Sequence, residues 1–118
     1  MISLGIDIGT TSICAVLYDL TEDKIIRSVS APNSFVNTGS YLQDPDRIVS
    51  VVKELYKELM MELKLWTGEH ETRKDMTLAG VGISSQMHGI LYTDIMGKAA
   101  TPLYTWKNED GNKEYRDG

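Results

Sequence analysis

Residues 5–12 read GIDIGTTS and lie between two segments rich in apolar residues, 2–6 and 13–17. Apolar segments on either side of a short polar stretch predict two strands joined by a tight turn. The turn offers the carboxylate of Asp7, a glycine and three hydroxyl groups beside a run of backbone N–H groups. Such groups suit phosphate oxygens and a divalent cation. An ordinary hairpin with a polar tip explains the same residues, so this stretch alone leaves both interpretations open.

The composition predicts one small globular domain that binds neither nucleic acid nor a membrane. The chain has 118 residues, 42% of them hydrophobic and 25% charged, and a formal net charge of −5. It contains no basic block of the kind that binds nucleic acid, and no apolar run approaches the ~20 residues of a membrane helix. The single cysteine, Cys14, cannot form an internal disulfide. Because the N-terminus enters a strand without a signal-peptide pattern, a cytoplasmic protein is expected.

The pattern along the chain predicts the element order β-β-β-α-β, followed by two short extended segments. Three strands at 2–7, 13–19 and 25–31 form an antiparallel meander. An amphipathic helix begins at the capped start Asp44-Pro45-Asp46 and runs to about Leu65 or Trp66, with an apolar stripe at a 3–4 spacing from Ile48 to Trp66. A polar loop over 67–75 leads to a strand at 78–83, which the crossover helix makes parallel to the first strand. The short extended segments, 90–93 and 102–106, flank a turn at 94–97.

This element order is the one with which an actin-like (ribonuclease H-like) ATPase domain begins. In that layout a phosphate-binding turn joins the first two strands. The expected fold class is therefore α/β, with a mixed sheet that forms the N-terminal part of such a domain. Since one long helix covers only one face of a sheet, the other face is expected to be exposed and to favour a homodimer.

Three segments resemble motifs of the FGGY carbohydrate kinases, in the order in which that family carries them. Residues 5–12 resemble its first phosphate motif. Residues 81–89, VGISSQMHG, resemble the GxSxQMHG segment of the xylulokinase and sedoheptulokinase branch, where glycerol-type members differ. Residues 103–106, LYTW, and the polar residues after them resemble the W-N-D or W-Q-D-G loop. The resemblance implies ATP-dependent phosphorylation of a ketose, and it covers the whole chain.

The resemblance also implies roles for individual residues. Asp7 would lie near the transferred phosphoryl group and hold Mg²⁺ through water. The ATP phosphates would be lined by Gly9, Thr10, Thr11 and Ser12. The sugar would be contacted by Gln86, Met87, His88, Trp106 and Asp110, where Glu109 or Asn108 could replace Asp110 because the loop holds extra residues. Cys14 stands where the family commonly has Lys or Arg, which removes a positive charge from the phosphate side.

The length of the chain qualifies these expectations. Members of the family have several hundred residues in two actin-like domains, and their catalytic base is an aspartate well beyond position 118. The resemblance therefore implies that residues 1–118 are a partial N-terminal domain of a larger kinase, inactive in isolation. Two other functions stay open. Another actin-like ATPase would share the Asp-x-Gly-Thr turn but has no reason to carry Gln-Met-His-Gly, and a stand-alone binding or regulatory module would lack catalysis.

Overall fold

A mixed sheet and one long helix form most of the computed structural model, which describes residues 1–36, 41–69, 77–86 and 89–108. The elements along the chain are β1 (Ile2–Ile8), β2 (Ser12–Asp19), β3 (Lys24–Pro32), β4 (Leu42–Gln43), α1 (Pro45–Glu69), β5 (Leu78–Ser85) and β6 (Leu103–Tyr104). The predicted order β-β-β-α-β is confirmed, with a two-residue strand added before the helix.

The main sheet has four strands in the order β3-β2-β1-β5. The meander β1-β2-β3 is antiparallel, and β5 lies parallel to β1, as the crossover helix requires. Asp7 on β1 pairs with Cys14 on β2 and with Ser84 on β5. The end of β1 is therefore flanked by a strand on each side, and the turn at 9–11 leaves from the same edge.

The core lies between the meander and α1. Alternate residues of β1 and β2 are buried, namely Ile2, Leu4, Ile6, Ile13, Ala15 and Leu17. The apolar stripe of the predicted helix faces them: Ile48, Leu55 and Leu59 are buried, and Val51, Val52, Leu63 and Trp66 are partly buried against the same cluster. The 3–4 spacing of the stripe thus identified the packed face of the helix.

The predicted start of α1 is confirmed and the predicted end is wrong. Asp44 Oδ1 accepts the backbone N–H groups of Asp46 at 3.0 Å and Arg47 at 3.4 Å, which caps the helix. The helix continues to Glu69, three residues into the segment predicted as a loop. Gly68 does not end it, since a helical glycine costs only about 1 kcal/mol. Residues 70–75 of the predicted loop lie outside the described residues.

The short strands differ from the prediction. Residues 90–93 do not form a strand, because only isolated bridges occur, from Ile90 to Tyr104 and from Thr93 to Ala99. β6 forms a regular pair with β4. Each of these strands has only two residues, too few to show the alternating pattern of a strand in the sequence. The turn at 94–97 is confirmed: Gly97 has φ +80° and donates its N–H to the Asp94 carbonyl at 3.0 Å.

The sheet face opposite α1 is exposed at Gly5, Asp7, Gly82 and Ser84, as expected from a single helix, and part of the other face is exposed as well. α1 packs over β2 and β3. Val81 and Ile83 pair with Leu4 and Ile6, yet they are 50% and 67% exposed. The uncovered apolar surface therefore includes β5, on the same face of the sheet that α1 covers over β2 and β3. Within the described residues, no helix is long and apolar enough to cross a membrane.

Candidate functional site

The turn between β1 and β2 is tight. The Gly9 N–H donates to the Ser12 carbonyl at 2.9 Å. A Cβ at position 9 would stand 2.8 Å from that oxygen, so the turn needs glycine there. Among the described residues, the N–H groups of Thr10 and Thr11 have no acceptor. Successive free N–H groups in a turn form an anion-binding concavity, which suits phosphate oxygens.

Asp7 lies beside this turn, at the carboxyl end of β1. Its carboxylate is exposed, and Oδ1 accepts a hydrogen bond from Ser84 Oγ at 2.7 Å. In a parallel pair such as β1 and β5, ligands bind outside the carboxyl ends of the strands. Ser84 was not among the predicted site residues, although it belongs to the VGISSQMHG segment. Its hydroxyl fixes one carboxylate oxygen and leaves the other free.

An open cavity of 500 Å³ adjoins Asp7. It is lined by Gly5, Ile6, Asp7, Cys14, Val16, Gly82, Ile83 and Ser84. It is widely open to solvent and lies on the sheet face opposite α1. Cys14 is half-buried and lines this cavity, and its Sγ lies 3.9 Å from Ser12 Oγ.

The three predicted motifs meet at the side chain of Thr10. Its Oγ1 accepts a hydrogen bond from Trp106 Nε1 at 3.1 Å and donates one to Gln86 Oε1 at 3.1 Å. The Gln86 N–H donates to the Ile8 carbonyl at 2.8 Å, which ties this residue to the end of β1. Trp106 remains 55% exposed, and Lys107 Nζ lies 5.3 Å from its ring centroid. A positive charge therefore lies near the site, which the sequence analysis did not predict.

Two buried side-chain amides hydrogen-bond to backbone carbonyls of the turn, and neither was predicted as a site residue. Asn33 is 7% exposed and donates to the Gly9 carbonyl at 2.8 Å. Gln43 is 0% exposed and donates to the Thr10 carbonyl at 2.8 Å. Both residues lie in segments that read as a loop or a strand end. The one available signal was a polar residue directly before the helix cap, at Gln43.

The structure thus brings together most of the predicted phosphate residues and two of the predicted sugar residues. Asp7, Gly9, Thr10 and Ser12 surround the turn, with Gln86 and Trp106 beside it. Thr11 has an exposed side chain, and its carbonyl accepts the Asn33 N–H at 2.9 Å. The other predicted sugar contacts, Met87, His88 and Asp110, lie outside the described residues.

The donor set fits a magnesium ion that is bound together with phosphates. In the described part of the chain, no three His, Cys, Asp or Glu side chains are placed to hold a metal by themselves. Mg²⁺ in phosphoryl-transfer sites takes only one or two protein carboxylates and fills its shell with water and phosphate oxygens. One exposed carboxylate, Asp7, next to free turn N–H groups meets that requirement.

Known proteins resemble this chain over nearly its whole length. Residues 2–116 match the family described as the FGGY family of carbohydrate kinases, N-terminal domain. A xylulose kinase of Staphylococcus xylosus is 28% identical over 115 residues, 97% of this chain and 22% of that protein. A gluconokinase of Bacillus subtilis (strain 168) is 30% identical over 104 residues, 87% of this chain and 18% of that protein.

Solved structures give the same result. The crystal structure of ligand-bound xylulose kinase from Lactobacillus acidophilus superposes with a TM-score of 0.72 at 27% identity, covering 92% of this chain and 20% of that one. The chain thus spans about a fifth of the length of the relatives it matches. The expected actin-like α/β fold is confirmed. With the family match, the motifs and the fold in agreement, the chain belongs to the FGGY family of carbohydrate kinases.

Proposed function

We propose that the protein carrying this sequence transfers the γ-phosphoryl group of ATP to a ketose of the xylulose or sedoheptulose type. Residues 1–118 would form part of the N-terminal domain of a two-domain kinase in the cytoplasm, where ATP is available. One observation carries the proposal: Gln86 and Trp106, the described sugar-side residues, both hydrogen-bond to Thr10 in the phosphate turn. A phosphate donor and a sugar bound to these segments would be held side by side.

The chemistry of phosphoryl transfer supports this arrangement. The protein must position the two reactants and neutralise charge rather than form covalent bonds. The N–H groups of Thr10 and Thr11 would bind phosphate oxygens, and Asp7 would hold Mg²⁺ through water. Bound Mg²⁺ would supply the positive charge that Cys14 does not. We propose that the base which deprotonates the sugar hydroxyl is an aspartate outside residues 1–118.

Gluconate is a second candidate substrate. The gluconokinase relative is as similar to this chain as the xylulose kinase is. In addition, Lys107 Nζ lies beside the ring of Trp106, where a cation would pair with a substrate carboxylate. A ketose has no such group, so the two candidates differ in what they require of Lys107.

A substrate panel separates the two candidates. ADP release by the extended protein would be measured with ATP, Mg²⁺ and xylulose, sedoheptulose, gluconate or glycerol in turn. We expect turnover with a ketose and none with this 118-residue chain alone. Turnover with gluconate only, reduced by Lys107→Met, would replace the first candidate by the second. ATP turnover that no sugar stimulates would contradict both.

The two sides of the site are distinguished by kinetics. In the extended protein, Asp7→Asn removes charge next to the transferred group and should mainly lower kcat. His88→Ala removes a proposed sugar contact and should mainly raise the KM for the sugar. The reverse partition would show that the phosphate and sugar sides have been exchanged.

The proposal includes a homodimer of the isolated chain through its exposed sheet surface. β5 contains no charged residue over Leu78–Ser85, and Val81 and Ile83 expose half or more of their surface. Uncharged, exposed edge strands favour pairing with another chain. Sedimentation of the isolated chain tests this part separately from catalysis.

A further inference from the structure

A directed chain of hydrogen bonds runs beneath the phosphate turn and begins at Gln43. Its Nε2 donates to the Thr10 carbonyl at 2.8 Å. A carbonyl oxygen only accepts, so the Gln43 amide must point its nitrogen to the turn and its oxygen away from it. That oxygen accepts from Gln86 Nε2 at 2.8 Å and from Asn33 Nδ2 at 3.5 Å.

The orientation of the Gln86 amide in turn fixes the direction of the Thr10 hydroxyl. Because Gln86 uses its nitrogen on Gln43, its Oε1 faces Thr10 Oγ1 and accepts the hydroxyl proton at 3.1 Å. A threonine hydroxyl has one proton, so its oxygen can now only accept. The indole of Trp106 only donates, and its Nε1 lies 3.1 Å from that oxygen. The Thr10 carbonyl can only accept and the Trp106 indole can only donate. Both ends of the chain therefore require the same direction for every hydrogen bond between them.

We propose that Gln43 is a positioning residue that sets the direction of the Thr10 hydroxyl and so couples the phosphate turn to Trp106. Gln43 is fully buried, so it acts through Thr10 and Gln86 rather than on a substrate. Gln43 and Gln86 form a closed ring with the carbonyl and the hydroxyl of Thr10, which fixes the turn backbone relative to the side chain.

This inference rests on the proposed function for its consequence. In the kinase, Thr10 offers a phosphate its backbone N–H, because its hydroxyl proton is held by Gln86. Its hydroxyl oxygen instead holds Trp106, the proposed wall of the sugar site. A buried amide that touches neither substrate thereby links the positions of the two substrate subsites.

The variant Gln43→Glu separates the two hydrogen bonds of Gln43 with almost no change of shape. A protonated carboxyl has one O–H donor and one carbonyl acceptor, so it can replace the amide in both bonds. An ionised carboxylate still accepts from Gln86 Nε2, but it cannot donate to the Thr10 carbonyl. The described side chains that hydrogen-bond to Gln43 are the uncharged Asn33 and Gln86, and the neighbouring Asp44 is exposed. Burial raises the pKa of the new carboxyl, so both forms are accessible.

The readout is the indole N–H resonance of Trp106 in the 118-residue chain, assigned with Trp106→Phe. Thr10→Val removes the indole acceptor and moves this resonance upfield, and Thr10→Ser keeps it near the wild-type position. We expect Gln43→Leu to move it toward the Thr10→Val position. We expect Gln43→Glu to keep the indole resonance near its wild-type position at every pH, because either form of the carboxyl accepts from Gln86 Nε2. At high pH it should instead move the Thr11 N–H resonance, because the hydrogen bond to the Thr10 carbonyl is lost. Leu55→Ala, a destabilising change in the core, should leave the resonance unmoved.

Two outcomes decide the proposal. A folded Gln43→Leu protein that keeps the wild-type indole resonance would overturn it, and so would a Gln43→Glu protein whose indole resonance moves to the Thr10→Val position at high pH. An indole resonance that moves in Gln43→Leu but not in Gln43→Glu supports it. Gln43→Met, which also lacks the amide oxygen, carries the test if Gln43→Leu does not fold. Titration with Mg²⁺ and tripolyphosphate tests the proposed function separately. No effect of tripolyphosphate on the turn resonances, alongside the expected shift of the indole resonance in Gln43→Leu, would count against phosphate binding and leave the role of Gln43 supported.

Discussion

The two halves of the four-stranded sheet are covered very differently. On β2, Ile13, Ala15 and Leu17 are 0% exposed beneath α1, whereas on β5 Val81 and Ile83 are 50% and 67% exposed. Both strands are rich in apolar residues, so composition does not explain the contrast. The difference shows that the meander and its helix bury each other, while β5 is held mainly by its backbone pairing with β1.

The candidate site lies where these two halves meet. Asp7 and Thr10 belong to the end of the covered half, and Ser84 and Gln86 to the uncovered one. Polar contacts join them: Ser84 to Asp7 at 2.7 Å, and Thr10 to Gln86 at 3.1 Å. Directed hydrogen bonds fix relative orientation, which apolar packing does less strictly. The site is therefore positioned by its amides and hydroxyls rather than by the core.

The largest expected effect is on the covered half. Leu59 is 0% exposed in the core, and Leu59→Ala should lower the free energy of unfolding by about 2–5 kcal/mol. The control Ile83→Ala, on the uncovered strand, should change it by less than about 0.5 kcal/mol. Urea denaturation followed by circular dichroism measures both. Similar losses for the two variants would show that β5 is packed as tightly as the meander.

A smaller effect is expected at the boundary between the halves. Gly9→Ala places a Cβ against the Ser12 carbonyl, and it should cost about 1–3 kcal/mol and weaken tripolyphosphate binding. Gly5→Ala is the matched control, since no atom lies within 4 Å of its added Cβ. Equal stability and equal phosphate affinity of the two variants would contradict the tight turn described above.

The smallest effect on stability is expected for a charge on β5. Ile83→Lys should leave the free energy of unfolding within about 0.5 kcal/mol of the wild type, because the side chain is already exposed. It should nevertheless abolish the proposed homodimer, which sedimentation velocity would detect. Ile25→Lys, at a 61% exposed position on the opposite edge strand, should leave the dimer intact. A wild-type chain that sediments as a monomer at high concentration would remove the dimer from the proposal.

The local pattern of residues determined much of the fold. The cap at Asp44 marked the start of α1 and the 3–4 stripe marked its buried face, and both are confirmed. The motifs at 5–12 and 81–89 then identified the family before any coordinates were known. Such features can be predicted from the sequence because they depend on neighbours within a few residues along the chain.

The tertiary structure alone decided the parts that depend on distant neighbours. β4 and β6 have two residues each, too few to show the alternating pattern of a strand. Residues 90–93, which were predicted to form a strand, make only isolated bridges. Thr10 meets Trp106 across 96 positions, and Gln43 reaches Thr10 across 33. A buried amide shows its residue type in the sequence but not its hydrogen-bond partner. The sequence therefore determined the tight turn between β1 and β2 and the family of the chain, and the folding of separate segments onto that turn decided which side chains hold it.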